Sequence, residues 1–379
     1  MDLDSIKEKR SKFKIGLSAV KRQNLFSNGL NLNVILWYDF FKNMGYDVVF
    51  IINDDFQYLG YKYTNFMRLV DASKNVLKDD FDTNPDYYDI TKLDVLIIVG
   101  LWSDILNSIA TKLNIKIIHT LMGSTFHNDL HSMIHSSWGN TSAVENISTE
   151  MWISPHFEYC QQYYKIRYKT DNVFRGPYFW GDNLFKEHNL MDSVIKKFDK
   201  LDIAICEPNL EQSKNCIIPI CICEKANKYI NSVMCFSTFK LKENKFFKEF
   251  VTNTQLYKDK KISSEGRYAL PLILSRYCNC IVSCVQDCDL NYLHLECFYL
   301  GIPLIHNSPM LKQYGYYYPK YDIEAGARQI LNVLKTHDRD EYIKRHKTIL
   351  EKYSIHNKMY QRWVDERLLN KDTNVRDID

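Results

Sequence analysis

The chain has 379 residues, of which 45% are hydrophobic and 25% are charged, and its formal net charge is +3. This length exceeds one ordinary hydrophobic core and suits two domains, and the composition is that of a globular protein rather than a disordered or fibrous one. The small net charge and the even spread of Lys and Arg argue against a nucleic-acid partner. No apolar run approaches the roughly 20 residues that span a bilayer, so no transmembrane segment is predicted.

The amino terminus favours a cytoplasmic protein. Met1 to Lys14 are rich in charge and lack the apolar core of a secretory signal. The eleven cysteines are then expected to be free thiols in a reducing compartment. The abundance of Lys, Asn, Ile and Tyr is typical of AT-rich genomes, viral ones among them, and for a viral protein the compartment would be the host cytoplasm.

The first half of the chain alternates strand-like runs with helical patterns. Apolar residues spaced as on one face of a helix, from Leu32 to Phe40, predict a helix over 30–44, which Gly45 would end. A second helix is predicted over 103–113. The predicted strands cover 13–18, 47–52, 93–99, 115–119 and 172–174, with one more beginning at Trp152. Such alternation is typical of a parallel, doubly wound sheet.

A polar stretch punctuated by Gly and Pro separates this half from a second series of strands and helices. The predicted strands there cover 202–206, 232–237, 280–285 and 303–306, and the predicted helices cover 213–229, 265–277, 291–300 and 338–369, with a short one near Phe246. We therefore predict an N-terminal domain (12–178), a linker (179–200), a second domain (201–355) and a C-terminal helix and tail (356–379) able to pack back on the N-terminal domain.

The segment from Val285 to Asn307 is the most informative for function. An apolar strand leads into a short polar loop, and a helix begins at Asn291. The N-terminus of such a helix offers backbone N–H groups and the positive end of its dipole to a diphosphate. Glu296 lies about one and a half turns further on, where its carboxylate could accept hydrogen bonds from two ribose hydroxyls. An ordinary crossover helix with a surface glutamate would have the same pattern.

This segment resembles the donor-site helix of GT-B glycosyltransferases, in which a glutamate followed by Gly-x-Pro holds the nucleotide ribose; the matching residues are Glu296, Gly301 and Pro303. Over about residues 123–357 the chain is similar to a little-characterised bacterial and viral family of GT-B-like glycosyltransferases. The motifs that carry this similarity are Trp152-Ile153-x-Pro155, Phe179-Trp180, Glu207-Pro208-Asn209, Glu265-Gly266-Arg267, Leu290-Asn291-Tyr292-Leu293, 303–308 and 315–318.

The resemblance implies an α/β fold of the GT-B type: two doubly wound, Rossmann-like domains facing a cleft, with C-terminal helices. It also implies a UDP- or GDP-linked sugar as co-substrate, a glycan or glycoprotein acceptor, and no cofactor. The second domain would hold the nucleotide sugar, and the first would hold the acceptor. In the helix segment, the residues expected to bind the donor are Asp289, Asn291, Tyr292 and Glu296.

One position departs from the family pattern. Retaining GT-B enzymes often carry two glutamates with seven residues between them. With Glu296 as the second, the first would be Cys288, which is flanked by Asp287 and Asp289. A neighbouring carboxylate could substitute, so inverting and retaining stereochemistry both stay open.

Three further residues are predicted to contact the donor. Asn209 and Lys214 follow the first strand of the second domain, at the edge where open α/β sheets bind ligands. A helix cap and a solvated lysine would explain them equally well. Arg267 is the stronger phosphate candidate, because a guanidinium can bind two oxygens at once, and the resemblance supports it more than the spacing does.

Two loops of the first domain are predicted to approach the sugar and the acceptor. Asn28-Gly29 permits positive φ and close backbone approach, although a surface turn explains it equally well. After the strand at 115–119, either His127 or Asp129 could act as the general base that removes the acceptor's proton. Two histidines that follow favour a polar helix face over a metal site, because no Cys or carboxylate cluster completes the coordination.

Two metal motifs are incomplete, and we predict sugar transfer without a metal. Four cysteines between 278 and 288 lack the paired spacing of a zinc site. Asp287-Cys288-Asp289 mimics the Asp-x-Asp motif of GT-A transferases, but that motif belongs to a fold with one nucleotide domain. The alternatives are a nucleotide-sugar 2-epimerase of the same fold, which would need no acceptor, and a nucleotide-sugar- or glycan-binding protein, which would bind without turnover.

Overall fold

The structure is a computed structural model that describes residues 3–19, 29–52, 66–68, 92–99, 114–135, 149–182, 185–186, 199–210 and 212–370. The chain divides into two compact units. The first unit comprises Met1–Phe179 and Tyr353–Asp379, and the second comprises Trp180–Lys352. The C-terminal segment therefore belongs to the same unit as the N-terminus.

A parallel seven-stranded sheet lies at the centre of the first unit. Its strands are β1 (Lys14–Ala19), β2 (Asp47–Ile52), β3 (Phe66–Arg68), β4 (Val95–Val99), β5 (Lys116–Leu121), β6 (Glu150–Ile153) and β7 (Val173–Arg175). They lie in the order β3-β2-β1-β4-β5-β6-β7, and each neighbouring pair is parallel. The strand order reverses beside β1, as in a doubly wound sheet.

Helices of the first unit bury aromatic side chains against this sheet. The first four are α1 (Leu3–Lys12), α2 (Gly29–Met44), α3 (Thr125–His135) and α4 (Gln161–Arg167). Trp37 of α2 is fully buried and packs against Trp152 of β6, with ring centroids 5.6 Å apart. Aromatic side chains of this size dominate the energetics of a core. The predicted apolar face of α2 is therefore confirmed, and it holds the helix on the sheet.

The second unit is built on a parallel six-stranded sheet. Its strands are β8 (Leu201–Ile205), β9 (Ile230–Cys235), β10 (Ile262–Ser264), β11 (Cys280–Val282), β12 (Leu304–His306) and β13 (Tyr316–Tyr317). They lie in the order β10-β9-β8-β11-β12-β13, with parallel pairing throughout. The chain therefore forms β8, β9 and β10 first, on one side of the sheet, and then forms β11, β12 and β13 on the other side.

Helix α9 is the most deeply buried helix described in this unit. The helices that follow β8 are α5 (Ile217–Lys225), α6 (Lys245–Thr252), α7 (Gln255–Lys258), α8 (Leu270–Arg276), α9 (Tyr292–Leu300), α10 (Ile323–Thr336) and α11 (Arg339–Lys352). All but one of the nine residues of α9 are buried. Gly301 ends it with φ of +73°, and a Cβ there would lie 2.6 Å from the Arg339 side chain. The predicted stop at Gly301 is confirmed, and polar residues on α9 have no solvent-facing side.

The last helix, α12 (Lys358–Leu369), packs on the first unit. Asp365 accepts two hydrogen bonds from the Arg10 guanidinium and a third from the Tyr46 hydroxyl at 2.7 Å. The Trp363 ring meets the Trp152 ring with centroids 5.0 Å apart. One partly buried ion pair and one aromatic contact thus join the C-terminal helix to α1 and to the sheet.

Most predicted strands and helices are present, with ends shifted by a few residues, but the single helix predicted over 338–369 is wrong, because α11 and α12 are separated by the non-helical residues 353–357. The helix predicted over 265–277 is wrong in its first turn: α8 begins at Leu270, because Pro271 is tolerated only at the start of a helix. Strands β3, β10 and β13 were not predicted, since two or three residues show no periodicity. The predicted helix over 103–113 and most of the predicted linker lie outside the described residues.

Candidate functional site

The carboxyl ends of the second unit's parallel strands lie at one edge of its sheet. Open α/β sheets bind ligands at this edge, where the strand order reverses. Here the reversal lies between β8 and β11, which pair directly, with Ala204 opposite Ile281. Glu207 follows β8 after one residue, and Ser283 directly follows β11. These two side chains therefore lie at the switch point of the sheet.

Three polar side chains form a buried chain at the switch point. The Ser283 hydroxyl donates to Oε1 of Glu207 at 2.6 Å, and Nε2 of His294, on α9, lies 3.0 Å from the same hydroxyl oxygen. All three residues have 0% of their surface exposed. Neither Oε2 of Glu207 nor Nδ1 of His294 has a hydrogen-bond partner among the described residues. Each end of this hydrogen-bonded chain of side chains thus carries a polar atom without a described hydrogen-bond partner.

Burial favours the neutral forms of the two ionisable side chains in this hydrogen-bonded chain. It raises the pKa of Glu207 to about 7, although the hydrogen bond from Ser283 and the charge of Lys214 act in the opposite direction. It also lowers the pKa of His294 well below the usual value, and the nearby His306 and Lys214 lower it further. Desolvation penalises the charged form of each group. Burial therefore favours the neutral form of both His294 and Glu207.

Glu296 lies two residues after His294 on the same helix and is only 3% exposed. Burial alone raises the pKa of its carboxyl to about 8, with no described hydrogen bond or cation acting against it. Its charge contributes to raising the pKa of the Tyr292 hydroxyl and of the Cys206 thiol, just beyond β8. Glu296 thus lies near the carboxyl end of β8, as a deeply buried carboxyl that hydroxyl donors of a ligand would satisfy.

The loop before α9 is held at both ends. Asn291 caps the helix, since its side chain accepts a hydrogen bond from the Leu293 N–H at 3.3 Å, and the predicted helix start is confirmed. The Ser308 hydroxyl donates to the backbone carbonyl of Asp289 at 2.8 Å. Burial raises the pKa of Asp289, and the charge of Asp287 adds to this effect. Asp289 and Asn291 therefore lie in a loop fixed to the end of β12.

Two residues that lie in the motifs of the resemblance, but that the sequence did not assign to the site, fix the segment after β11. The Asn307 side chain exchanges hydrogen bonds with the backbone of Val285, at 2.8 and 2.9 Å, and donates to the carbonyl of Lys320 at 2.9 Å. The Tyr318 hydroxyl donates to the carbonyl of Ser283 at 2.9 Å. These bonds hold Ser283 in place. A signal was available: Ser283 and Asn307 each directly follow a strand of the sheet.

Asn209 and Lys214 belong to the loop after β8, and Asn209 has positive φ (54°). The Asn209 side chain donates to the carbonyl of Glu207 at 2.7 Å and accepts from the N–H of Cys216, the residue that caps α5. Lys214 pairs by its backbone with Val285 beyond β11. The Asn209 side chain therefore ties the loop after β8 to the start of α5, while Lys214 lies close enough to influence Glu207 and His294.

Arg267 lies in the extended segment between β10 and α8 and is exposed. The carbonyls next to it are used by the loop after β9: Glu265 accepts from the N–H groups of Thr238 and Phe239, and Gly266 accepts from that of Ser237. This segment leaves the same carboxyl edge as Glu207 and Ser283. Arg267 is therefore an exposed cation at the edge where the candidate site lies.

The two candidate bases of the first unit lie on α3 in different surroundings. His127 is 4% exposed, and its Nδ1 lies 2.6 Å from the hydroxyl oxygen of Ser124. Asp129 accepts hydrogen bonds through Oδ2 from Nε of Arg167 at 3.0 Å and from the Tyr163 hydroxyl. Both donors stabilise the charged carboxylate. Asp129 thus has an architectural ion pair, whereas His127 has a neutral hydroxyl as its neighbour.

Among the described residues, no cluster of ligand-binding side chains surrounds the remaining predicted features. Gly29 is the first residue of α2 and is exposed, whereas Asn28 lies outside the described residues. The four cysteines between 278 and 288 are buried free thiols. Within the described residues, no three His, Cys, Asp or Glu side chains are grouped to hold a metal ion.

The profile of one protein family matches residues 15–368; the family is described as a protein of unknown function, DUF2827. The chain belongs to this family. No curated protein matches the DUF2827 chain. Among its described residues, no helix is long and apolar enough to cross a membrane.

Several solved structures are similar to this DUF2827 protein across both units. A glycosyltransferase from Rickettsia africae is 13% identical with a TM-score of 0.53, over 95% of this chain and 99% of that one. An α-glucosyltransferase in complex with UDP-glucose and abasic DNA is 10% identical with a TM-score of 0.59, over 94% and 99%. The pneumococcal O-GlcNAc transferase GtfA, in complex with UDP and GlcNAc, is 10% identical with a TM-score of 0.55, over 95% and 99%.

These likenesses show the fold. The two parallel sheets with their helices have the α/β architecture of GT-B glycosyltransferases, as the sequence predicted. At these identities they assign no role to any side chain, because one fold hosts many functions. The chemistry of the DUF2827 site has to be argued from its own residues.

Proposed function

We propose that this protein is a glycosyltransferase that moves a sugar from a UDP- or GDP-linked donor to a hydroxyl group of a glycan or glycoprotein acceptor. The observation that carries the proposal is Glu296, a buried carboxyl whose pKa is raised to about 8 by desolvation alone. Perturbed carboxyls at the ligand-binding edge of a sheet are candidates for function. Two neighbouring hydroxyl groups of a ribose would supply the hydrogen bonds that Glu296 lacks.

The donor's diphosphate is assigned to the same edge. The N-terminus of α9 carries a partial positive charge, and Arg267 is an exposed cation at this edge. Together they would stabilise the charge of the leaving diphosphate, which is the main electrostatic demand of the reaction. We assign supporting donor contacts to Asn209, Lys214, Asp289, Asn291 and Tyr292. No metal ion enters this mechanism, and UDP is the first nucleotide to test, since the similar structures contain it.

The base is assigned to His127. A general base needs a lone pair that can take the acceptor's proton. With Nδ1 donating its hydrogen to Ser124 (2.6 Å), Nε2 would carry that lone pair. Asp129 is the weaker candidate, because Arg167 and Tyr163 already stabilise its negative charge. Replacing His127 by Asn would then abolish most transfer while nucleotide affinity stays unchanged, and full activity of that variant would remove the assignment.

Nucleotide binding tests the donor site directly. The full chain would be screened by thermal shift against UDP and GDP sugars, because a ligand that binds the folded state raises its unfolding temperature. Calorimetry with UDP and GDP would then compare the wild type with Glu296→Gln, which keeps the side-chain shape but removes the charge. Glu324→Gln is the matched control, since Glu324 is a 60% exposed glutamate paired with Lys225. Equal affinity in all three proteins would refute the donor site.

Turnover separates the proposed transferase from its alternatives. The nucleotide sugar that binds best would be offered with a panel of glycan acceptors, in the presence and absence of EDTA. Transfer that persists in EDTA supports the proposal. A product formed without any acceptor would indicate an epimerase, and binding without turnover would indicate a binding protein. Loss of activity in EDTA that Mg²⁺ restores would instead point to a metal held near Asp287 and Asp289.

A further inference from the structure

An aromatic and lysine-rich surface lies on the segment between β9 and β10. It consists of Phe239, Lys240 and Lys242 in a 3-10 turn (Phe239–Glu243), and of Lys245, Phe246 and Lys248 in α6. All six residues are exposed. Phe239 is 61% exposed and Phe246 is 66% exposed, although most phenylalanines of folded proteins are buried. We call this set the aromatic–lysine surface.

These two phenylalanines are not part of the buried core of the second unit. The inward face of α6 is supplied by Phe247 and Val251, which belong to the buried core of the second unit, and Leu241 and Phe250 pack against that core. Phe239 and Phe246 lie outside this packing and leave large apolar rings in water. Their exposure costs free energy in the isolated protein, which a partner could recover by covering them.

Positive charge surrounds the exposed rings. Four lysines and two glutamates lie within 239–250. None of these four lysines forms an ion pair in the part of the chain that the structure describes, and Lys242 lies over the Phe239 ring, with Nζ 4.6 Å from its centroid. Lysine stems can lie along an apolar boundary while their ammonium groups reach for anions. The surface thus combines rings suited to insertion with cations that are not neutralised.

The surface begins at the carboxyl edge of the second sheet. The backbone N–H of Phe239 donates to the carbonyl of Glu265 at 3.0 Å, two residues before Arg267. Tyr268, which follows Arg267, is 49% exposed and meets Phe236 edge-on. A planar partner that covers Phe239 would therefore approach the edge that carries the candidate donor site.

We propose that the aromatic–lysine surface binds the face of a lipid membrane that carries anionic headgroups. Lysines and aromatic rings together are the signature of an interfacial binding site: the rings enter the boundary between headgroups and acyl chains while the lysines pair with anionic lipids. Single-stranded nucleic acid is the less suited partner, because bases stack on open ring faces. Here Lys242 covers Phe239, and Phe246 is stacked with Phe250 at 6.1 Å.

This proposal goes beyond the proposed function and does not depend on it. Vesicle co-sedimentation of the full chain tests it, with vesicles of phosphatidylcholine alone and of phosphatidylcholine mixed with phosphatidylglycerol. We expect binding to the mixed vesicles only, and we expect it to weaken as salt is raised, because salt screens the headgroup charge. Each Lys→Gln substitution at 240, 242, 245 or 248 should lower the partition coefficient about fivefold.

Two variants test whether vesicle binding depends on insertion of these two rings or on any exposed apolar side chain. Phe239→Ser combined with Phe246→Ser should reduce binding by about tenfold or more. Ile166→Ser is the matched control, since Ile166 is 80% exposed on α4 of the first unit, and it should bind like the wild type. Unfolding temperatures would show that all variants are folded. No binding to mixed vesicles, or equal losses in both apolar variants, would overturn the proposal, as would binding of single-stranded DNA by a protein that ignores the vesicles.

Discussion

The first unit pairs its poorly exposed carboxylates with cations, whereas in the second unit Glu296 has no described cation beside it. In the first, Glu150 accepts a hydrogen bond from the Trp152 indole at 2.6 Å and lies 3.1 Å from the Lys116 ammonium group. Asp365 is held by Arg10 and Tyr46. The first pair joins β6 to β5 and the second joins α12 to α1, so these charges fix the architecture.

In the second unit, Glu207 and Glu296 are at least as deeply buried, but burial dominates their titration and raises the pKa of each. A buried carboxyl without a compensating charge makes the empty protein less stable than a neutral side chain would. Such groups are expected where a ligand completes the hydrogen bonds. The comparison leads us to expect that burial without a cation, at the ligand edge of a sheet, marks a functional carboxylate better than burial alone does.

In the first unit, the paired carboxylate of Asp365 should be important for stability. Asp365→Ala leaves the Arg10 guanidinium partly buried with the carbonyl of Met44 as its remaining described acceptor. Removing the carboxylate from a partly buried, hydrogen-bonded ion pair costs about 2 kcal/mol. We expect the free energy of unfolding, measured by urea denaturation, to fall by that amount. Asp4→Ala, in an exposed pair with Lys7, is the control. If the two variants lose equally little, the pairing of α12 is not what stabilises the first unit.

On the unpaired side, Glu296→Gln should make the protein more stable at alkaline pH. The pKa of Glu296 is raised to about 8 in the folded state and is about 4.3 in an unfolded chain. The unfolded state therefore binds fewer protons between these values, and wild-type stability falls as pH rises through this window. Gln carries no charge, so the variant should gain on the order of 5 kcal/mol relative to the wild type at pH 9 and nothing at pH 4.

Unfolding temperatures of both proteins across this pH range would measure the difference, with Glu324→Gln as the exposed control. Because every other titrating group is shared, the difference between the two curves isolates position 296. A Gln variant that follows the wild type at every pH would mean that Glu296 already has a partner, and the contrast between the two units would disappear.

A smaller effect is expected on ligand affinity. The ionised carboxylate is the form that accepts hydrogen bonds from two hydroxyl groups, so nucleotide binding should release a proton from Glu296. With a pKa of about 8 in the empty protein, affinity for UDP should rise by a factor of about eight between pH 7 and pH 8.5. Calorimetry in two buffers of different ionisation enthalpy would measure the released proton. The slope should vanish in Glu296→Gln, and a slope that persists there would assign the proton to another group.

Long buried strands and the helix α9 could be predicted from the sequence, because their apolar runs and their Asn291 and Gly301 ends are local signals. Glu296 could be predicted through its motif. The Glu207–Ser283–His294 chain could not, since it joins positions 76 and 11 residues apart and needs the strand order of the sheet. The short edge strands β3, β10 and β13 likewise depend on tertiary pairing rather than on local pattern.

Asp129 also shows what the sequence could not predict, in this case for a residue that the sequence had suggested as a base. A carboxylate after a strand of the first domain qualifies as a base by sequence, but its partners Tyr163 and Arg167 follow 34 and 38 residues later and become neighbours only in the fold. We expect Asp129→Asn to keep an oxygen that can accept both hydrogen bonds and to lose only the negative charge. The free energy of unfolding should then fall by about 1 kcal/mol, the smallest effect proposed, while sugar transfer is unchanged. If transfer is lost while nucleotide affinity and the unfolding temperature are retained, the base is Asp129, and pairing would not separate architectural from functional carboxylates.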